Sequence, residues 1–158
     1  MGHLLSTLKP CFNGELVHAI FSDPYIARWV TEPFPLQGID LAANQHLVKA
    51  YVAYENDTPI GAFVFYRLTT YIWMCQAGFL KHGLGKPARG AAYLAKLAMF
   101  GAVPEILKLM FWVEEDNKAS IRFCQDVGAK IEGKLMHNSF RCGKLVNVIS
   151  LAILKADI

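Results

Sequence analysis

The middle of the chain alternates short apolar runs with turn-forming residues, a pattern typical of β-strands. Residues 49–55 and 60–66 are rich in aromatic and β-branched side chains and are separated by the turn formers of residues 56–59. These two runs therefore predict a hairpin. Residues 71–80 form a longer apolar run without a charged residue, which predicts a strand that is covered on both faces.

The alanine-rich stretch that follows has helical spacing. Residues 87–100 consist largely of strong helix formers, with apolar side chains three and four positions apart, and Gly101 ends the pattern. Residues 106–113 predict a buried strand, which lies parallel to residues 71–80 if a right-handed β-helix-β unit connects the two. The aromatic residues assigned to the core because they alternate on these strands are Phe63, Phe65, Trp73 and Trp112.

Capping residues predict where the other helices begin. Asp23 or Ser22 can cap a helix at residues 24–30, with Pro24 at its first position. Asp116 or Asn117 can cap a later helix, which stops at Gly128. The other predicted elements are helices at residues 15–21 and 41–47 and a closing hairpin of residues 129–140 and 146–154.

Composition narrows the class of protein. The 158 residues are 54% hydrophobic and 18% charged, enough to bury a sizeable core in one domain over residues 1–158. The net charge is only +3 and the cationic residues are scattered, which argues against a nucleic-acid partner. Without an apolar run of ~18 residues or a signal segment, we expect a cytoplasmic protein and no membrane partner. The oligomeric state stays open, and a homodimer is compatible with the apolar composition.

The four cysteines lack the spacing of a metal site or of a disulfide framework. Cys11, Cys75 and Cys124 lie inside apolar patterns, which predicts buried thiols in a reducing compartment. The histidines also lack metal-ligand spacing, so no metal is expected.

The sequence HGLGKPARG joins the strand of residues 71–80 to the alanine-rich helix. Backbone amides at a helix start are unpaired and lie at the positive end of the helix dipole, so such a junction can bind an anion. Gly83 and Gly85 would let the backbone approach a phosphate closely, and Lys86, Arg89 and His82 would add charge. A pyrophosphate is the expected ligand, and a tight turn with a purely structural role is the alternative.

The order of the predicted elements and three short motifs resemble a known family. Gly83-Leu84-Gly85 resembles a pyrophosphate loop, and Val113 to Gly128 resembles V-x-x-x-N-x-x-S followed by a helix and a glycine. The closing motif is Glu132-Gly133-Lys134-Leu135 followed by Gly143-Lys144-Leu145-Val146-Asn147. From about residue 49 to residue 154 the chain is similar to the GNAT N-acetyltransferases, and within them to the ribosomal-protein and aminoglycoside types.

The resemblance implies a mixed α/β (α+β) fold: a mostly antiparallel sheet with a central, splayed pair of parallel strands and flanking helices. Acetyl-CoA would lie between those two strands and pair with the free edge of the first, at Phe79. Gly83, Leu84 and Gly85 would hold its pyrophosphate, and Asn117 would bond the pantetheine arm. An amine of a small molecule or a protein would then attack the acetyl group directly, with a backbone amide polarising the carbonyl.

The chain departs from the family pattern where protons are transferred. The tyrosine that often protonates the leaving thiolate is replaced by Cys124, a weaker donor. Residues 71–80 contain no carboxylate, where many members carry a base. The residues left for proton transfer are Cys75, Gln76, His82, Glu114 and Glu115.

Two functions from different classes therefore remain. The first is an N-acetyltransferase that uses acetyl-CoA, with Cys124, Glu114 and His82 as catalytic candidates. The second is an assembly or interaction module of the same fold, for example in a bacteriophage, because the catalytic positions are eroded. Each candidate residue also has a structural alternative: a solvated loop side chain for His82, a packing thiol for Cys124, and a helix entry favoured by the dipole for Glu114.

Overall fold

The computed structural model describes residues 6–29 and 39–158. The described chain forms a seven-stranded sheet in the order β1-β2-β3-β4-β5-β7-β6. The strands are β1 (Thr7–Pro10), β2 (Val48–Glu55), β3 (Thr58–Arg67), β4 (Ile72–Phe79), β5 (Lys108–Glu114), β6 (Lys130–Arg141) and β7 (Lys144–Leu154). The helices are α1 (Gly14–Phe21), α2 (Pro24–Ala27), α3 (Lys86–Ala102) and α4 (Lys118–Asp126), with 3-10 turns at Lys81–Gly83 and Lys155–Asp157.

The sheet is mixed. β4 and β5 run parallel and are connected through α3, whereas the other neighbouring strands within the described residues pair antiparallel. The predicted mostly antiparallel sheet with a central parallel pair and flanking helices is confirmed.

Each face of the sheet carries its own apolar core. On one face, called the α3/α4 face, those two helices pack against Phe63, Phe65 and Trp73. On the other, the α1/α2 face, α1 and α2 pack against Ala62 and Val64. Because successive residues of a strand point to opposite faces, each strand residue can be assigned to one of these two faces.

Both predicted hairpins form, each with a two-residue turn. Asn56 and Asp57 join β2 to β3 with φ of 48° and 63°, and Cys142 and Gly143 join β6 to β7 with φ of 50° and 80°. Left-handed backbone at both central positions is the signature of the type I′ turn, whose twist matches that of the flanking strands.

The helix predicted at residues 41–47 is wrong. This segment forms hydrogen-bonded turns, and the side chains of Asn44 and Gln45 donate to the backbone carbonyls of Asp40 and Ala42. In so short a segment the cost of helix nucleation is not recovered, and polar side chains that bond to the local backbone compete with the helix.

Two helix boundaries also differ from the prediction. α3 begins at Lys86, so that Pro87 occupies its second and not its first position. α2 ends at Ala27, whereas the sequence predicted a helix to residue 30, which lies outside the described residues. Within residues 6–29 and 39–158 no helix is long and apolar enough to cross a bilayer.

Candidate active site

β4 and β5 separate halfway along their length. Their parallel pairing joins residues 72–75 to residues 108–111. Beyond that point β4 continues only alongside β3, and β5 only alongside β7, among the strands that the structure describes. A wedge opens between residues 76–79 and 112–114, which is the splay that the resemblance implied.

Backbone amides on the free edge of β4 point into this wedge. The amide of Leu80 donates to the carbonyl of Ile60 at 2.9 Å, and bonded positions recur at every second residue of an antiparallel ladder. The amides of Ala77 and Phe79 therefore face away from β3, toward β5. Donors fixed in this way can polarise a carbonyl or stabilise an oxyanion.

A cavity of about 850 Å³ passes through the wedge from one face of the sheet to the other. Its size is that of a site for a cofactor or a small molecule. The lining on the α3/α4 side includes Phe79, Leu84, Gly85, Ala88, Asn117 and Cys124, and the lining on the α1/α2 side includes Tyr25, Trp29, Tyr66, Trp112 and Glu114.

The start of α3 offers free backbone amides at the edge of the cavity. Gly85 precedes the helix with φ of 84° and ψ of −129°, a conformation that suits glycine. No side chain caps this helix within the described chain. Arg89 donates the first helical bond, to the carbonyl of Gly85 at 3.2 Å, so the amides of Lys86 and Ala88 have no partner within the helix. This helix end is open to an anion.

Gly83 and His82 lie just before that helix end, where both contact β3. A Cβ on Gly83 would lie 2.5 Å from the Cβ of Ile60, so glycine permits the loop to approach β3. Nε2 of His82 lies 3.1 Å from the carbonyl oxygen of Pro59, and neither residue is part of the cavity lining. The structure does not bring His82 to the wedge.

Arg89 lies at the outer rim of the α3/α4 side. Its guanidinium is 3.7 Å from the carboxylate of Asp126, at the end of α4, and about half of each side chain is exposed. Lys86 is exposed on the first turn of α3. Two cationic residues thus lie on the first turn of α3, beside the open amides.

Asn117 faces the cavity from the start of α4. It is buried and its side-chain oxygen accepts a hydrogen bond from the amide of Ser120 at 3.1 Å, which caps the helix. Because the oxygen serves the cap, the side-chain NH₂ group is the part that can donate to a ligand.

Cys124 and Cys75 line the cavity as buried thiols. Burial raises the pKa of Cys124 to about 12, and burial together with the nearby Cys124 raises the pKa of Cys75. Proton transfer from a thiol of this pKa to a thiolate of ordinary pKa costs roughly 5 kcal/mol. Cys124 is therefore a poor general acid, although it lines the cavity. The three thiols predicted to be buried, Cys11, Cys75 and Cys124, are buried.

Glu114 ends β5 and lines the cavity from the α1/α2 face. Its side chain is 7% exposed, and burial raises the pKa of the carboxyl although an ion pair with Arg141 lowers it in part. Arg141 also pairs with Asp116 and lies 4.9 Å from the ring centre of Trp29. A buried carboxyl with a raised pKa in a cavity is a candidate proton acceptor.

Glu115, the other acidic candidate, is held outside the main cavity. Its carboxylate pairs with Lys134 at 2.5 Å and accepts a hydrogen bond from the side chain of Asn147 at 2.9 Å. The hydrogen bond from Lys134, followed by that from Asn147, lowers the pKa of this carboxyl. Glu115 ties the start of α4 to the closing hairpin.

The prediction that Trp112 belongs to the core is wrong. It is 48% exposed and lines the cavity, because it alternates with Phe111 and Val113, which pack into the α3/α4 core. The five consecutive apolar residues 109–113 of this strand hid the difference between its faces. Glu114, two positions further on, was the available signal that this face meets a polar space.

Sequence reasoning also missed the contribution of β6. The register of β6 against β7 shifts between Leu135 and Ser139. Within this bulge His137 has φ of 52° and its amide donates to the side-chain oxygen of Asn147 at 3.1 Å. Bulges redirect the side chains beside them, and residues 138–140 line the cavity. Nothing in the local sequence announces the two extra residues of β6.

Comparison with known proteins gives the class of fold. No protein-family model and no curated protein matches the sequence. The structure of spermidine N-acetyltransferase from Vibrio cholerae, in complex with CoA and spermine, matches with a TM-score of 0.80 and 18% identity over 98% of each chain. Ribosomal-protein-S5-alanine acetyltransferase from Vibrio fischeri matches with a TM-score of 0.79 and 16% identity, over 99% of this chain and 97% of that one. The chain therefore has the fold of the GNAT N-acetyltransferases, as the resemblance implied.

Proposed function

We propose that this protein is an N-acetyltransferase that moves the acetyl group of acetyl-CoA to an amine. The observation that carries the proposal is the wedge between β4 and β5, with free amides on its edge, beside the open start of α3. One cavity joins the two features. The bound CoA in the V. cholerae enzyme of the same fold supports acetyl-CoA as the donor.

Acetyl-CoA fits the α3/α4 side by its chemistry. Its diphosphate would accept hydrogen bonds from the amides of Lys86 and Ala88, with the side chains of Lys86 and Arg89 balancing the charge. Gly85 and Leu84 would line its path. The pantetheine would follow the edge of β4 past Phe79, whose ring packs edge-on against Phe63 and Phe123, and would receive a hydrogen bond from Asn117.

The reaction would take place where the two sides of the cavity meet. The amine nitrogen bonds to the acetyl carbon, the carbon–sulfur bond breaks, and coenzyme A leaves as its thiolate, which takes a proton from solvent. The proton lost by the nitrogen passes to Glu114, directly or through a water. The amide of Ala77 or Phe79 stabilises the oxyanion that develops on the carbonyl oxygen. We assign no proton transfer to Cys124 or His82.

Two measurements test this proposal together. Calorimetric titration with acetyl-CoA should show binding, and a free-thiol assay should show acetyl-CoA-dependent release of thiol with at least one amine from a panel of small amines and peptide N-termini. Thiol release that requires no amine would point to hydrolysis. Failure of acetyl-CoA to bind would overturn the proposal.

An assembly or interaction module of the same fold is the second candidate. The feature in its favour is Cys124, which the family resemblance places where a tyrosine often acts as the acid, because a buried thiol with a pKa raised to about 12 is a poor acid. This candidate predicts no thermal stabilisation by acetyl-CoA at millimolar concentration. Binding accompanied by thiol release would exclude it.

A further inference from the structure

We infer that the amine acceptor is a monoamine carried by an aromatic or branched apolar body, and not a polyamine or another polycation. The inference rests on the proposed function and concerns the α1/α2 side of the same cavity. Three observations carry it: the rings that line this side, the arrangement of its charges, and a buried hydroxyl.

The lining of the α1/α2 side is largely aromatic. Its rings come from three separate parts of the chain: the α2 region, β3 and β5. One of these rings is unusually open, since Trp112 is 48% exposed. A large exposed aromatic side chain in the lining of a cavity marks a site for an apolar ligand. The four rings are Tyr25, Trp29, Tyr66 and Trp112.

The charges on this side disfavour a polycation. Of the described residues that line it, the charged ones are Arg28 and Glu114, and the Glu114 carboxylate is already paired with Arg141. A ligand with several ammonium groups needs several carboxylates to replace its water. Here it would meet one lining carboxylate, which Arg141 already shares, and the guanidinium of Arg28, which repels an ammonium group. A single amine directed at Glu114 has no such conflict.

Two of the aromatic rings, Tyr25 and Trp29, already contact cations of the protein. The guanidinium of Arg28 lies 4.4 Å from the ring centre of Tyr25 and 5.6 Å from that of Trp29. The guanidinium of Arg141 lies 4.9 Å from the centre of Trp29. Cations of the protein itself thus occupy cation–π positions on these rings. The apolar surface that remains suits an uncharged ligand body.

A buried hydroxyl adds a polar feature to this apolar surface. The hydroxyl oxygen of Tyr66 is buried and has no hydrogen-bond partner among the described residues, although the side chain lines the cavity. A buried donor without a partner is unfavourable, so a ligand atom that accepts its hydrogen bond would be held there. An acceptor with a hydroxyl, ether or carbonyl oxygen on its apolar body meets this requirement.

Binding of the acceptor to protein saturated with CoA tests the inference without requiring turnover. Phenethylamine and spermidine are titrated separately by calorimetry at the same ionic strength. We expect phenethylamine to bind at least about tenfold more tightly than spermidine. Equal or tighter binding of spermidine, or no detectable binding of phenethylamine at millimolar concentration, would overturn the inference. Failure of CoA itself to bind would instead remove the proposed function and this inference with it.

A pair of variants locates the effect. Trp112→Ala should weaken phenethylamine binding by about fivefold to tenfold and leave spermidine and CoA binding unchanged. Tyr71→Ala is the matched control, because Tyr71 is 56% exposed and lies outside the cavity lining. If the two variants have the same effect, the aromatic lining does not select the acceptor and the inference is wrong.

Discussion

The two sides of the cavity present different kinds of chemical group to a ligand. The α3/α4 side offers backbone groups, namely the amides at the start of α3 and those on the edge of β4. The α1/α2 side offers side chains, such as Trp29, Glu114 and Arg141, that come from distant parts of the sequence. Backbone donors persist through most substitutions, whereas side chains change one at a time. The comparison suggests that the fold specifies the donor and that a few side chains specify the acceptor and the proton transfer.

The largest effect is expected from a substitution of Glu114, which should lower activity on the α1/α2 side without changing acetyl-CoA binding on the other. Glu114→Gln removes the proton acceptor, so kcat/KM for acetyl transfer should fall by about 100-fold or more, while the Kd for acetyl-CoA stays unchanged. Because burial raises the pKa of this carboxyl, activity of the parent protein should decline with acid at a higher pH than for an ordinary carboxyl, and the variant should lose this dependence. Rates measured across pH with saturating acetyl-CoA check both statements.

Stability provides the control for that variant. A carboxyl whose folded pKa lies above its unfolded value stabilises the fold most below the unfolded value, and that contribution is lost as pH rises through the folded value. At neutral pH the ionised Glu114 is therefore a cost to stability, so the glutamine variant should melt at the same or a higher temperature. A large drop in melting temperature together with the loss of activity would indicate unfolding and not a catalytic role.

The second prediction reverses the charge at the start of α3, on the side of the cavity that would hold acetyl-CoA. Lys86→Glu combined with Arg89→Glu places two anions at the open start of α3, and the affinity for acetyl-CoA should fall by roughly tenfold to 100-fold. The loss should shrink at high salt, because both side chains are exposed. Lys81→Glu is the control, since it reverses an exposed lysine of the preceding 3-10 turn and not of the first turn of α3. Unchanged affinity in the double variant would contradict an anion site here.

The same difference explains what could be predicted from the sequence. Gly85, Lys86 and Arg89 are neighbours in one short segment, so the strand-to-helix junction and its open amides could be recognised locally. The wedge was implied by the family resemblance, which rested in part on the order of the elements. Arg141, by contrast, meets Glu114 and Trp29 through contacts between segments far apart in sequence, and the bulge in β6 depends on the side chain of Asn147. Such long-range pairings leave no periodic or spacing pattern to read.

A third prediction compares Gly85, which precedes α3, with Gly101, which lies in its last turn. Gly85→Ala places a side chain at φ of 84°, and since no atom lies within 4 Å of its Cβ, the cost is conformational, about 1–3 kcal/mol of unfolding free energy. Affinity for acetyl-CoA should fall a few-fold, because the helix start relaxes to fit the alanine. Gly101→Ala, also open around its Cβ but inside the helix, should instead stabilise by about 0.5–1 kcal/mol. Urea unfolding of the two variants measures both changes in the free energy of unfolding. Equal changes would contradict the requirement for glycine at position 85.

The smallest effect tests whether Arg89 pairs both with Asp126 and with the diphosphate of acetyl-CoA. Arg89 pairs with Asp126 at 3.7 Å across the rim of the α3/α4 side, and if Arg89 also meets the diphosphate, Asp126 competes with it. An exposed pair of this kind contributes at most about 1 kcal/mol, so Asp126→Asn should tighten acetyl-CoA binding by about twofold to threefold at low salt. Asp157→Asn removes an equal charge that is paired elsewhere, with Lys130, and should leave affinity unchanged. In an Arg89→Ala background the Asp126 effect should vanish; if it persists, the competition acts through the general field of the rim and not through Arg89.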